Sequence, residues 1–274
     1  MKVDKNCPIS EVRLAQYEKF IDKLKEPIKG SKLPDLYCVL LQASFELNEN
    51  KNFFSTEYLK KFTGELLSKI LNEGWAIIGC FERGAFLSNY HHTRAALELI
   101  AGYHWVTYKP NKIEKRVKKF FEFNELFLYQ LYLKYKDSLD SDITQFQKYF
   151  TSDKINIWEN KISDWLKLYK PKNNDILQIL NWHHPARIEN ILSEYPNRKL
   201  KMFYGEFSLA THFSPFSHSL GTDDSVLGFP VYDNKDLSEF NKPLSIYLDS
   251  YMGLLEQVKT ATGFNSNVKF PKYK

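Results

Sequence analysis

Residues 112–136 read KIEKRVKKFFEFNELFLYQLYLKYK. In this stretch Ile113, Val117, Phe120, Phe121, Phe127, Leu128, Leu131 and Tyr135 recur at helical steps, which gathers them along one side of an α-helix. Pro110 stands just ahead as a start signal. The basic run Lys115-Arg116-Val117-Lys118-Lys119 reads as the solvated face of the same helix.

The helical period extends in both directions from this segment. Downstream, Thr151, Ser152 or Asp153 can cap a helix through Ile157, Trp158, Ile162, Trp165, Leu166 and Tyr169, with Pro171 as its end. Short helices are expected near Asp175 to Trp182 and Ala186 to Tyr195, and another from Arg198 to about His212, before Pro215. Upstream, helices are expected at Ser10 to Lys25 and Leu36 to Leu47. A third, capped by Ser55 or Thr56, runs through Leu59, Phe62, Leu66, Leu67 and Ile70, with Gly74 as a break. Trp75 to Tyr108 is too densely apolar for a solvent-facing helix and predicts one or two buried central helices. Ser219 to Pro243 reads as a long loop, Leu244 to Ala261 as a closing amphipathic helix, and Asn265 to Lys274 as a loose tail.

The expected architecture is therefore all-α: a multi-helix, bundle-like single domain over 1–274, with its core at about 10–262 and a long loop before the C-terminal helix. Composition agrees. Hydrophobic residues make up 43% and aromatics 16%, which supplies a sizeable core and excludes a disordered chain. Three scattered cysteines, Cys7, Cys38 and Cys80, argue against a disulfide framework or a zinc ribbon and fit a reducing compartment. No window approaches the roughly 18 apolar residues of a membrane span, so a cytoplasmic, membrane-free protein is expected. The net charge of +5 comes from 38 basic and 33 acidic residues, a balance too even to argue strongly for a polyanionic partner.

Two groups of residues carry chemical potential. Arg94 and Glu98 stand four apart on a helix expected to be buried, where an unpaired charge would be costly. They form either a structural ion pair or an anchor for phosphate or carboxylate. Tyr204, Ser208 and His212 are spaced by four and four, so they share one side of a helix. They form either a hydrogen-bonded structural network or a site in which His212 acts as general acid or base. In the second case Tyr204 or Ser208 orients His212, and Arg94 stabilises developing negative charge. Such a set meets the minimum for metal-independent cleavage of RNA through the 2′-hydroxyl.

The Arg-x-x-x-Glu of Arg94 and Glu98, followed by the Tyr-x-x-x-Ser-x-x-x-His of Tyr204, Ser208 and His212, resembles the pattern of an uncharacterised family of bacterial all-helical proteins. That family is in turn similar to the HEPN superfamily, many members of which are ribonucleases in toxin and phage-defence systems. The resemblance covers roughly residues 75 to 220. It implies a helical fold, a site at Arg94, Glu98, Tyr204, Ser208 and His212, an RNA partner and a homodimer. The Arg and His separated by four to six residues that mark HEPN nucleases are absent, since seven residues separate Arg83 from His91 and nine separate Arg94 from His104.

Other chemistries leave weaker traces. Arg198, Lys199 and Lys201, just ahead of Tyr204, are candidate nucleic-acid contacts or plain surface charges. His91, His92, His183, His184 and His212 allow a metal-binding alternative, although no His-Glu-x-x-His or Glu-x-x-His occurs and no metal ligands are assigned. Phosphate-loop, dinucleotide and Gly-x-Ser-x-Gly patterns are missing, so no cofactor is expected. The rival to a nucleic-acid-processing protein is a non-catalytic interaction or structural protein whose Arg/Glu and Tyr/Ser/His residues form a buried network.

Overall fold

The computed structural model describes residues 32–82, 86–136, 150–195, 199–211 and 237–271. The expected helix at Ser10 to Lys25, Arg198, His212 and residues 219–236 of the expected loop lie outside them. The described residues form nine α-helices and three short 3-10 turns, with no strand among them, and the all-α, multi-helix expectation holds. No helix among them is long and apolar enough to cross a membrane. The chain groups into two compact units, one of residues 1–104 and 192–274 and one of residues 105–191.

In the first unit, α1 (Leu33–Glu49), α2 (Lys51–Ser55) and α3 (Tyr58–Glu82) are followed by α4 (Phe86–Thr107), whose last turn belongs to the second unit. Leu33, Leu36, Leu40 and Ala43 give α1 a buried stripe at the spacing that its neighbours α3 and α9 (Leu237–Thr262) require. On α9, Leu244, Tyr247, Leu248, Tyr251, Leu254, Leu255 and Val258 are buried in turn. Fully burying one such side chain stabilises by about 1.5–3 kcal/mol, so these stripes hold the unit together. Burial raises the hydroxyl pKa of both Tyr247 and Tyr251 and keeps them neutral.

Four expectations are corrected here. Gly74 does not break a helix but lies inside α3. A Cβ at position 74 would sit 2.5 Å from Leu40 Cδ2 and 2.5 Å from the Tyr247 hydroxyl, so glycine is needed for the close approach of α1 and α9. Ser55 and Thr56 do not cap α3. Their hydroxyls donate back to the carbonyls of Asn52 and Phe53, while the Glu57 carbonyl accepts the first bond of α3, from Lys61 N. The loop expected up to Pro243 does not include Leu237 to Pro243, because α9 starts at Leu237 and carries Pro243 within its first turns. Tertiary contacts outweigh the local signal: Asn241 Oδ1 accepts from Lys32 N at 2.7 Å, and Lys242 pairs with Glu206. Finally, residues 265–271 are not loose. Gln42 pairs with both polar groups of the Lys269 main chain, accepting from its N–H at 3.1 Å and donating to its carbonyl at 2.9 Å. Glu46 accepts from Asn267 N at 2.6 Å and from the Ser266 hydroxyl.

The second unit is built on α5 (Ile113–Tyr135) and α6 (Ser152–Tyr169). The expected start and end signals hold. Pro110 opens a 3-10 turn that leads into α5, and the Thr151 side chain accepts from Lys154 N as the cap of α6. Lys170, in left-handed conformation, closes α6 just before Pro171. The buried face of α5 differs from the expected one. Phe127 and Tyr135 are exposed, whereas Leu126 and Tyr129 are buried against Trp158, Trp165 and Tyr169 of α6. Trp165 Nε1 donates to Glu122 Oε2 at 3.0 Å, and Lys161 reaches Glu125 at 2.7 Å beside it. Gln130 Nε2 donates to the carbonyls of Ile176 and Ile179, so the 3-10 turns after α6 are tied to α5. The basic run is also corrected, because Arg116 and Lys119 are buried rather than solvated. Beyond these turns comes α7 (Ile188–Glu194), whose last three residues are assigned to the first unit.

Candidate functional site

The site is assembled in the first unit from α4 and α8 (Lys199–Thr211). On α4, Tyr90, Ala96, Leu97 and Ile100 are buried, which leaves Arg94 and Glu98 on a part-buried flank. On α8, Leu200, Tyr204 and Phe207 are buried at helical spacing. Tyr90 and Phe207 meet edge to face, with ring centroids 5.1 Å apart, and this contact brings the two helices together.

Across that junction the polar residues converge. Arg94 Nε donates to Glu98 Oε1 at 3.2 Å, and Arg94 Nη2 donates to the Tyr204 hydroxyl at 3.3 Å. The Tyr204 hydroxyl donates in turn to Glu98 Oε1 at 3.0 Å. The Arg94 guanidinium also lies 5.1 Å from the centroid of the Tyr204 ring, within cation–π range. Residues 94, 98 and 204 thus close a three-membered ring of charge-assisted hydrogen bonds. Burial raises the Tyr204 pKa, and the neighbouring Glu98 carboxylate adds to the effect, so the phenol keeps its proton at neutral pH. The result is a proton donor already aimed at an anionic oxygen, with a guanidinium beside it.

Ser208 is not part of that ring. Its hydroxyl donates to the Tyr204 carbonyl at 2.8 Å, one turn back along α8. His212 lies outside the described residues, as does Arg198. Lys199 opens α8, and Lys201 is exposed on it.

The histidines occupy separate places. His92 Nδ1 is 2.7 Å from Glu73 Oε2, with the His91 ring 5.7 Å from the His92 ring. His183 is buried with its Nδ1 bonded to the Ala186 carbonyl at 2.9 Å, and burial lowers its pKa. Among the described residues no three potential ligands gather as a metal site would require.

Two features escaped the sequence reading. One is a cleft of about 630 Å³ in the first unit, with Leu47, Phe54, Leu71 and Trp75 among its apolar lining and Asn48 and Asn72 among its polar lining. Its size falls within the range of small-molecule pockets. Its residues come from three helices, and no local spacing announces it. The other is the buried pair Arg116 and Lys119, for which a signal existed: Arg116 stands four residues before Phe120, on the flank of the apolar face.

Comparison of the chain with family models, with curated proteins and with solved structures finds no match.

Proposed function

We propose that this is a HEPN-like nucleic-acid-processing protein, a metal-independent ribonuclease whose site is centred on Arg94, Glu98 and Tyr204. The observation that supports this reading is the convergence of these residues, about a hundred positions apart, to hydrogen-bond distance. Arg94 neutralises charge on the scissile phosphate, and Tyr204 gives its retained proton to the departing 5′-oxygen as the bond from phosphorus to that oxygen breaks. Glu98 orients both. His212, four positions after Ser208 in the sequence and there a candidate general acid or base, takes the proton of the attacking 2′-hydroxyl as its bond to phosphorus forms. The 5′ fragment then ends in a cyclic phosphate and the 3′ fragment in a 5′-hydroxyl.

RNA degradation by the wild type, Arg94→Ala and His212→Ala at equal folded concentration tests this. Wild-type cleavage should give cyclic phosphate ends, and both substitutions should abolish it. Indistinguishable background rates in all three remove the reading.

A second reading has its own support in the closure of the ring. The Tyr204 hydroxyl both accepts from Arg94 and donates to Glu98, as a clamp fixing the register of α4 and α8 would. Under it, substitution of Tyr204 changes stability alone.

A further inference from the structure

Lysine and arginine are seldom fully buried without a carboxylate beside them, because the charge must be taken out of water. In the second unit two such cations stand three residues apart on α5. Arg116 is 7% exposed and Lys119 is 6% exposed. The Arg116 guanidinium donates to the Trp105 carbonyl and lies over the rings of Trp105 and Tyr108, at 4.4 Å and 4.8 Å from their centroids. The Lys119 ammonium donates to the His184 carbonyl and lies 5.2 Å from the centroid of the Tyr169 ring.

No carboxylate pairs with either cation among the described residues. The charges acting on Lys119 are those of Lys115, Arg116 and Lys170, all of the same sign. Desolvation and these three cations bring the Lys119 pKa down to about 8. The fixed groups offered in compensation are neutral carbonyls and ring faces. Yet the spare donors of Arg116 are not sealed in. Among the described residues the side-chain nitrogens and oxygens that are sealed off without a partner belong to Asn89, Thr93, Asn181 and Gln257, and none belongs to Arg116, whose Nη1 alone is taken by the Trp105 carbonyl. Its remaining N–H groups therefore keep a path to solvent, and Lys119 beside it stays 6% exposed. Around that path stand exposed Lys115 and Lys170 and half-buried His184.

We infer that Arg116 and Lys119 form the floor, and Lys115 and Lys170 the rim, of a binding site for a phosphate group. Four positive charges, that of Lys119 and the three around it, suit a phosphate better than a single carboxylate, and a tetrahedral anion can take donors from a fork and an ammonium at once. The rings of Trp105, Tyr108 and Tyr169 hold both cations in place, so little side-chain entropy is lost on binding. The inference stands apart from the ribonuclease reading, since it uses none of the residues of that site. The phosphate can be a free ion, as in a small phosphorylated ligand, or part of a nucleic-acid backbone.

Calorimetric titration at constant ionic strength tests it, with inorganic phosphate in one arm and a single-stranded RNA 12-mer in the other. The wild type is compared with Lys119→Met, which keeps the aliphatic stem over Tyr169, and with Lys115→Gln/Lys170→Gln, which leaves the buried pair untouched. Wild-type protein should bind phosphate saturably. Lys119→Met should weaken binding at least about tenfold, the size of one charge-assisted contact, and the rim variant should weaken it by a smaller factor. An equal loss for RNA assigns the site to a nucleic-acid backbone, and a loss for phosphate alone assigns it to a small phosphorylated ligand. Absence of phosphate binding by the wild type, or one affinity for all three proteins, overturns the inference and leaves the cations as caps on main-chain carbonyls. Unchanged circular dichroism of the rim variant keeps the result independent of folding.

Discussion

The Tyr204 hydroxyl lies 3.0 Å from Glu98 Oε1 and is its hydrogen-bond donor, although the two residues are 106 positions apart. Removing that hydroxyl while keeping the ring separates structure from chemistry. Tyr204→Phe should lower the unfolding free energy by about 1–2 kcal/mol, the scale of a part-buried hydrogen bond to a charged group. Urea denaturation measures the loss. A cleavage rate that falls tenfold or more in a variant with near-native stability would favour the ribonuclease over the clamp.

Gly74 offers a test of packing in the first unit. Gly74→Ala places a methyl group against Leu40 and the Tyr247 ring, and the helix backbone leaves it no room to retreat. Its intrinsic gain in helix propensity, up to about 1 kcal/mol, should be outweighed by overpacking of about 1–3 kcal/mol. A variant more stable than the wild type in thermal unfolding would show that α1 and α9 do not approach as closely as described.

The lowered pKa of Lys119 fixes a sign for the pH dependence of stability. Between about 8 and its ordinary value of 10.5, the unfolded chain holds a proton at this lysine that the folded chain has released. Stability therefore gains from this residue as pH rises through that window, and the penalty for charging it is fully present below pH 8. Urea midpoints at pH 7.5, 9 and 10 should show this rising component in the wild type. Lys119→Met should lack it, and parallel profiles for the two proteins would contradict the burial of an unpaired charge.

Local hydrogen exchange tests the attachment of residues 265–271. In Gln42→Ala the Lys269 amide loses its acceptor, and in Glu46→Ala the Asn267 amide loses its own. Each amide should exchange faster in the corresponding variant, with a global cost of about 1–2 kcal/mol. Exchange at the wild-type rate would mean that the burial of Phe264, Val268 and Pro271 holds the segment without these bonds.

Helix positions were legible because they depend on local period and punctuation. Thr151 and Pro171 bound α6 in the sequence as they do in space, and Pro110 introduces α5. Misreadings arose wherever a residue answers to a distant partner. Gly74 looks like a stop until Leu40 and Tyr247 are placed against it, and Pro243 looks like a loop until Asn241 and Lys242 are seen tied to Lys32 and Glu206. The face of α5 was misjudged because several apolar residues compete for burial, and the Trp158 to Tyr169 stripe of α6 selects Leu126 and Tyr129 over Phe127. Lysines in a basic run look solvated because spacing cannot show that Tyr169 and the His184 carbonyl will cover one of them. The pairing of Arg94 with Glu98 was legible as a spacing on one helix, and Tyr204 stood out through its spacing to Ser208 on another. Their meeting was a matter of tertiary packing, carried by Tyr90 and Phe207.

The pairing of Gln42 with Lys269 has a consequence for how the chain is made. The two residues are separated by 227 positions, and the first unit is interrupted by the whole of the second. During synthesis α1 leaves the ribosome long before the segment that covers it, whereas α5 and α6 emerge close together and the turns that pack on them follow directly. Residues 105–191 can therefore settle while the first unit still exposes an open apolar surface, which makes that interval the period of greatest need for chaperone shelter.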